Sequence, residues 1–313
     1  MNELPINPLK FNSITELMRR LNLDPPAHPM ITLVNYDQVK IDLRDAGSWF
    51  MLGFYKITFK KDFKGSVKYG PGTYDFKDGG MAFLAPGQVV QMTADPGDYQ
   101  GYVLYFHPGL LDGHSLVQDI HNYGFFDYAV TEALFLSEKE KQVIETLFKA
   151  IAIELDNHID QFSENVLVSQ LGLLLNHSNR FYNRQFLTRK NQHHDLISRM
   201  NAWLNERFNS ADTLISGLPS PQDIATYLNV SQRYLSDMLK TLTGKTTQQH
   251  IHLALIEKAK VLLNQTTLTT AEIAYRLGFE HPQSFNKLFK QRTNVSPVQF
   301  RNTVDLARVN GKK

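Results

Sequence analysis

Residues 269–301 read TTAEIAYRLGFEHPQSFNKLFKQRTNVSPVQFR. Thr269 followed by Glu272 is the pattern by which a hydroxyl and a carboxylate cap the first turn of a helix. Ile273, Ala274 and Leu277 then form a short apolar stripe, Gly278 interrupts it, and Phe285 and Phe289, four apart, begin a second. The spacing predicts two helices joined by a turn, a helix-turn-helix. Gln283, Ser284, Asn286, Lys287 and Lys290 fall outside the second stripe. Amides, hydroxyls and ammonium groups gathered on one helix face can bond base edges in a major groove and neutralise phosphates.

The same pattern occurs earlier, in DIATYLNVSQRYLSDMLKTLTG, residues 223–244. Ile224, Ala225 and Leu228 match Ile273, Ala274 and Leu277. Leu235 and Leu239 match Phe285 and Phe289, and Lys240 matches Lys290. Ser220, Pro221 and Asp223 supply the helix start. Asn229 stands at the turn, where Asn and Gly accept a positive φ at least cost. The exposed face of this copy carries Gln232, Arg233, Ser236, Asp237 and Lys240. One such face could simply be solvated; two in the same register point to duplex DNA. Between the copies, HIHLALIEKAKVLLNQ (residues 250–265) predicts a helix of about 14 residues, roughly 20 Å long. That length would set the two recognition helices about one DNA turn, roughly 34 Å, apart.

Charge supports the division. Residues 1–189 hold 17 Lys and Arg against 22 Asp and Glu, whereas residues 190–313 hold 16 against 9. A basic segment beside an acidic one is the footprint of a nucleic-acid module joined to something else. The chain has no cysteine, which excludes disulfides, thiolate chemistry and zinc sites built on Cys. No apolar run reaches the roughly 18 residues a membrane span needs, and the N-terminus lacks a secretory pattern. The expectation is a cytoplasmic protein.

Upstream the period changes. One amphipathic helix is expected at about Ile14 to Leu21. From Ile31 to Phe106, runs such as MITLVNY, SWFMLGFYKITF and GYVLYF alternate with Gly, Pro and Asp turns, which predicts short strands in a barrel or jelly roll. The aromatics there (Trp49, Phe50, Phe54, Tyr55, Phe59, Tyr69, Tyr74, Phe76 and Phe83) are expected mostly in its core. Two long helices are expected at Ser137–Asn157 and Glu164–Tyr182. Their stripes are Val143, Ile144, Leu147, Ile151 and Leu155 on the first, and Leu167, Leu171, Leu174 and Leu175 on the second. They are long enough to serve both the barrel and a second subunit, so a homodimer is expected. Residues 185–195, QFLTRKNQHHD, read as a polar linker. The fold class is thus α+β and multidomain. Residues 1–184 form a β-barrel with a helical hairpin, and 196–313 an all-α domain with two helix-turn-helix motifs.

The C-terminal motif resembles the signature of the AraC/XylS family of transcription regulators. The matching residues are Ile273-Ala274, Gly278-Phe279, Phe285, Phe289-Lys290, Ser296-Pro297 and Phe300-Arg301, and the resemblance runs over about residues 195–303. It implies binding to promoter DNA through both motifs. Carried over by position, it favours Arg233, Ser236 and Asp237 in the first recognition helix and Gln283, Ser284 and Lys287 in the second. Two residues depart from the pattern. Asp237 stands where a basic or amide residue is usual, and Asn294 replaces a Gly. Because Asn tolerates the left-handed conformation, that turn is expected to survive. The β-rich segment, over about residues 30–110 and including the Pro86-Gly87 turn, resembles the cupin-like sensor domain that many members carry.

Enzymatic cupins need a metal held by several His, and no His lies between His28 and His107. His107, His114 and His121 are spaced by seven, but Pro108, Gly109 and Gly113 break any helix there. His193-His194-Asp195 falls in the expected linker, and His250 and His252 do not share a helix face. No metal, no cofactor and no catalytic group is therefore expected. The expected function is a sequence-specific DNA-binding regulator controlled by a small-molecule effector, with RNA polymerase as a further candidate partner. The alternatives are a regulator tuned by a protein partner or by abundance and, more distantly, a cupin-type enzyme fused to a DNA-binding module. The effector, the operator and the direction of control are not legible in the sequence.

Overall fold

A computed structural model describes residues 8–38, 48–63, 66–69, 72–75, 79–91, 99–210 and 217–310. The chain divides into two compact units, Met1–Thr188 and Arg189–Lys313.

The first unit is a two-sheet sandwich with helical cover. One sheet has the order β1-β3-β8, from β1 (Leu9–Phe11), β3 (Trp49–Leu52) and β8 (Val89–Gln91). The other has the order β10-β7-β4-β9-β2, from β2 (Ile31–Asn35), β4 (Tyr55–Phe63), β7 (Gly80–Leu84), β9 (Tyr99–Phe106) and β10 (Leu134–Phe135). A hairpin, β5 (Ser66–Tyr69) with β6 (Gly72–Asp75), stands apart from both. Helix α1 (Ile14–Arg20) packs Ile14, Leu17 and Met18 into a cluster with Phe11, Leu52, Val34, Val103 and Tyr105. Both sheets contribute to that cluster, so part of the core lies between them. The expected strands are present. The three short ones, β1, β8 and β10, were not anticipated, because two or three residues carry no readable alternation. Gly87 takes φ +82° at the expected Pro86-Gly87 turn. Phe54, Tyr55, Phe59 and Phe83 are buried as expected, while Trp49 and Phe50 are half-buried. Phe76 and the side chains of Tyr69 and Tyr74 lie outside the described residues.

After the short helix α2 (Leu116–Asp119), helices α3 (Glu138–Asp156) and α4 (Ser163–Thr188) cover the outer face of the five-stranded sheet. Ser137 accepts from the Glu140 amide, while Glu140 Oε2 accepts from the Ser137 amide at 2.8 Å, the expected capping box. Phe148 of α3 stacks on Phe59 of β4, with centroids 5.7 Å apart. Leu167, Leu171, Leu174 and Leu175 are all buried within the unit. This corrects the idea that their stripe also serves a second subunit, because the first unit already buries it. Of the α3 stripe, Ile144, Leu147 and Ile151 are buried and Val143 is exposed.

The expected linker, residues 185–195, is also corrected: it is helical. Helix α4 runs to Thr188, the chain breaks at Arg189 (φ −89°, ψ 38°), and α5 (Lys190–Asn209) follows. The polar letters misled because several are buried and bonded. Gln185 Oε1 accepts from the Phe135 amide at 2.7 Å, and its Nε2 donates to the Ala133 carbonyl at 3.2 Å. His193 is buried, with Nε2 3.2 Å from the Tyr234 hydroxyl.

The second unit is helical throughout its described residues. After α5 come α6 (Pro221–Leu228), α7 (Gln232–Thr243), α8 (Thr247–Gln265), α9 (Thr270–Arg276), α10 (Pro282–Thr293) and α11 (Pro297–Asn310). The central helix α8 has 19 residues rather than about 14, hence a length of roughly 28 Å. Thr246 and Gln249 form a capping box that starts it one turn earlier than the apolar pattern suggested. Ile251, Leu255, Ile256, Ala259, Leu262 and Leu263 are buried along it.

Candidate nucleic-acid interface

Helices α6–α7 and α9–α10 are the two expected helix-turn-helix motifs. Ser220 with Asp223 and Thr269 with Glu272 cap the leading helices through reciprocal bonds. Each such cap is worth roughly 1 kcal/mol. The backbone amide and hydroxyl of Thr269 hold the Glu272 carboxyl below the ordinary carboxylate range. Ala225 and Ala274 are fully buried, as close crossing of the paired helices requires. The turns differ in the way their residues predict. Asn229 closes α6 in the left-handed region (φ 57°, ψ 46°). In the second motif Leu277 closes α9, and the next residue, Gly278, takes φ +92°.

Leu235, Met238 and Leu239 anchor α7, while Phe285 and Phe289 anchor α10. Phe285 meets Phe279 at 5.5 Å and Phe289 at 5.7 Å, and Phe289 meets Phe300 edge-on at 5.6 Å. Arg301 Nε donates to the Leu263 carbonyl at 3.1 Å, tying α11 to the end of α8. Phe279, Phe285, Phe289, Phe300 and Arg301 thus hold the second motif together and to the end of α8.

With those faces buried, the other faces are fixed. Gln232, Arg233 and Lys240 are exposed on α7, and Ser236 and Asp237 are half-buried beside them. On α10, Gln283, Ser284, Asn286, Lys287 and Lys290 are all exposed. At 100° per residue, Arg233 and Lys240 lie opposite the anchoring residues of α7, and Gln283, Lys287 and Lys290 opposite those of α10. Asn286 lies on the flank. Most candidates of each motif therefore share the face away from its anchors, with Gln232 and Asn286 nearer the anchored side.

Two contacts qualify the α7 face. Arg233 Nε donates to Asp237 Oδ2 at 3.1 Å, and Lys240 Nζ donates to the Gly244 carbonyl at 3.2 Å. Asp237 therefore engages an arginine on its own helix. Gln291, four residues past Lys287 and also exposed, shares the α10 face. Its spacing from Gln283 and Lys287 was the signal that could have identified it. Arg292 is exposed and donates to His252 Nδ1 at 3.3 Å, linking α10 to α8.

The histidines have structural surroundings. His107 Nδ1 accepts from the Gly109 amide at 3.1 Å, and His114 lies 3.2 Å from Glu164. Among the described residues no group of three or more His, Asp and Glu could hold a metal ion. No described helix is long and apolar enough to cross a membrane.

A family model for a helix-turn-helix domain matches residues 224–303, and one for an AraC-like ligand binding domain matches residues 64–171. An uncharacterized HTH-type transcriptional regulator of Pseudoalteromonas carrageenovora is 39% identical over 80 residues, covering 26% of this chain and 47% of the relative. The HTH-type transcriptional activator RhaS of Escherichia coli is 32% identical over 142 residues, covering 44% of this chain and 45% of RhaS. The chain thus spans about half the length of the curated relatives it matches. Among solved structures, the C-terminal domain of AraT, a response regulator from Geobacillus stearothermophilus, is 32% identical. It covers 34% of this chain and 84% of that domain, with a TM-score of 0.31. Both matched domains are those of regulators rather than enzymes. With an AraC-like ligand-binding domain followed by a helix-turn-helix domain, the chain belongs to the AraC/XylS family of transcription regulators.

Proposed function

We propose that this chain is a cytoplasmic transcription regulator that reads two successive major-groove segments of promoter DNA with α7 and α10, under the control of a small molecule bound by the first unit. The observation that carries this reading is the paired geometry. Two helices, each anchored by buried residues at matching positions, each turn a polar and cationic face outward. Arg233, Ser236 and Asp237 on α7, and Gln283, Ser284 and Lys287 on α10, are the proposed base-reading set. Lys240 and Lys290 are the proposed phosphate contacts, with Gln232 and Asn286 at the margins. The match to an AraC-like ligand binding domain supports the effector.

The reading includes a homodimer and contact with RNA polymerase at the promoter. The surface that supports the dimer is not the leucine stripe but the opposite face of α4. There Val166 and Leu173, with Phe162 just before the helix, are exposed along one line.

Selection from a random duplex pool with the full chain tests the DNA assignment. The expected product is a motif with two conserved blocks about one helical turn, roughly 10 base pairs, apart. Affinity for it should fall steeply with salt, as counterion release requires. A pool that yields no motif, together with a flat salt response, would sink the assignment.

A further inference from the structure

Strand β4 carries polar residues on a face where the alternation of a half-buried sheet would lead one to expect apolar ones. Lys56, Thr58 and Lys60 alternate along it and so leave the same face of the five-stranded sheet. The other face is covered: Tyr55 meets Phe126 at 4.9 Å, and Phe59 stacks on Phe148. The lysine face is therefore the one turned to the inside of the sandwich. Lys56 Nζ lies 5.8 Å from the centroid of Phe50 and 6.0 Å from that of Tyr105. Phe50 belongs to the three-stranded sheet and Tyr105 to the five-stranded one, so the ammonium stands between the sheets. Lys60 is 3% exposed, with Nζ 5.8 Å from the Tyr36 ring. Tyr36 and Phe50 both pack on the interior apolar cluster that holds Tyr105.

The neighbouring strands set Leu84 and Tyr105 beside Lys56 and shorter residues farther along. Ala82 and Val103 stand in register with Thr58, and Gly80 and Gly101 with Lys60. No side chain rises beside Lys60 from either adjacent strand. Among the described residues, no acidic side chain pairs with Lys56. The half-buried Lys56 ammonium, with aromatic faces as its described neighbours, carries a desolvation cost that an anion would offset, and aromatic walls suit an apolar body. Burial also pushes the Lys56 ammonium down to about 8, as a water-poor position does.

We propose that the interior of this sandwich is a binding site for a small organic anion, a carboxylate or phosphate ester with an apolar or planar body. Its charged group pairs with Lys56, its body lies on Phe50 and Tyr105, and Lys60 adds a second positive charge on the same face. The proposal rests on the reading of the first unit as a ligand-binding domain and names the chemical class of its ligand.

Saturation-transfer NMR on the full chain tests it with three probes: benzoate, phenyl phosphate and the neutral benzamide. The expected result is saturable binding of benzoate or phenyl phosphate, the stronger of the two naming the anionic group, with benzamide weaker. Lys56→Met keeps the side chain's bulk and removes its charge. It should weaken the anion roughly tenfold to a hundredfold, the worth of one charge-assisted hydrogen bond. Lys60→Met should weaken it less, and melting curves of both variants confirm that the unit is folded. If benzamide binds as well as the anions and Lys56→Met changes nothing, the anionic class is overturned and the ligand-binding reading stands. If none of the three binds, the proposed ligand class is overturned, while the ligand-binding reading rests on the family match alone.

Discussion

Arg233 and Asp237, one turn apart on α7, hold each other: the guanidinium Nε donates to the carboxylate Oδ2 at 3.1 Å. Such a pair at i,i+4 stabilises a helix by only about 0.3–0.5 kcal/mol. Its larger effect is on DNA. The carboxylate fixes the direction of the arginine and cancels part of its charge on the face proposed to meet phosphates and base edges.

Asp237→Asn should therefore release Arg233. Non-specific affinity for duplex DNA rises, and the slope of log affinity against log salt steepens by up to about one unit. Discrimination between the selected site and a scrambled site falls, because Arg233 loses its fixed orientation. Fluorescence anisotropy over a salt series on both duplexes measures both effects. Unchanged slope and discrimination would place α7 away from the DNA.

The second motif depends on one glycine more than on any other. A Cβ at Gly278 would lie 2.8 Å from the Gly217 carbonyl carbon and 3.0 Å from both its oxygen and the Leu218 nitrogen, at φ +92°. At Gly244, φ is +71° but nothing lies within 4 Å of the added atom. Gly244→Ala should thus cost only the conformational term, roughly 1–2 kcal/mol, and Gly278→Ala clearly more. Asn294 takes φ 65° and ψ 0° where Gly244 takes φ 71° and ψ 3°. Asn294→Gly should accordingly gain a few tenths of a kcal/mol. Chemical denaturation of the three variants checks the order.

How far the sequence could be read follows from which signals are local. Caps, turn residues and apolar spacing within 20 residues specify each helix-turn-helix, and even the substitution at Asn294 was legible because left-handed geometry belongs to one residue. Signals that depend on what packs opposite were not legible. Leu171 and its neighbours announce an apolar stripe, but only the fold shows that the unit's own elements bury it. Gln185 and His193 read as solvated, whereas their partners, Phe135 and Ala133 for one and Tyr234 for the other, lie about 40 to 50 positions away in the chain. For Lys56, Thr58 and Lys60 the alternation along the strand does not say which side of the sheet they leave. Helix α3 covers the other side of the strand, so they face inward.

Acidification should loosen the DNA-binding unit through two histidines on α8. Burial and, secondarily, Lys245 lower the His250 pKa; burial and Arg292 lower that of His252. Both prefer to be neutral in the folded chain, so below pH 6.5 the unfolded chain binds more protons. Stability is then intact at pH 7 and declines as the pH falls from 6.5 through the lowered native values. A charged His252 would also repel Arg292, which now donates to its Nδ1. Melting temperatures between pH 7 and 5 should drop less for a His250→Gln, His252→Gln double variant than for the parent chain. Parallel curves would remove these histidines as the cause.

Lys56 acts on the other unit in the same direction but in a higher pH window. Its ammonium is disfavoured by burial, with a native pKa of about 8 against an ordinary 10.5. Between these values the unfolded chain holds the proton that the folded chain has lost, so stability attributable to this residue rises with pH across that window. Lys56→Met should therefore raise the melting temperature of the ligand-free protein below pH 8. The advantage should shrink toward pH 10.5. Excess benzoate or phenyl phosphate should narrow the gap at pH 7 by stabilising the parent chain more than the variant. A variant less stable than the parent at pH 7 would mean that the ammonium is already compensated within the chain.

The two faces of α4 separate fold from assembly. Leu171 is fully buried, and Leu173, two residues on, is 48% exposed. Glutamate at 171 places an unpaired carboxylate in the core, where it costs several kcal/mol, and the first unit should melt or fail to accumulate. Glutamate at 173 meets water, and a surface change of this kind alters stability by about 0.5 kcal/mol or less. If Phe162, Val166 and Leu173 form a self-complementary interface, each patch lies against its own copy, so Leu173→Glu sets two carboxylates against each other. Sedimentation velocity at micromolar concentration should then show a dimer for the parent chain and a folded monomer for Leu173→Glu. That monomer should still bind a single two-block DNA site, with lower affinity for a tandem pair of sites. A parent chain that sediments as a monomer, both free and on DNA, would refute the dimer and leave the exposed line on α4 to another partner.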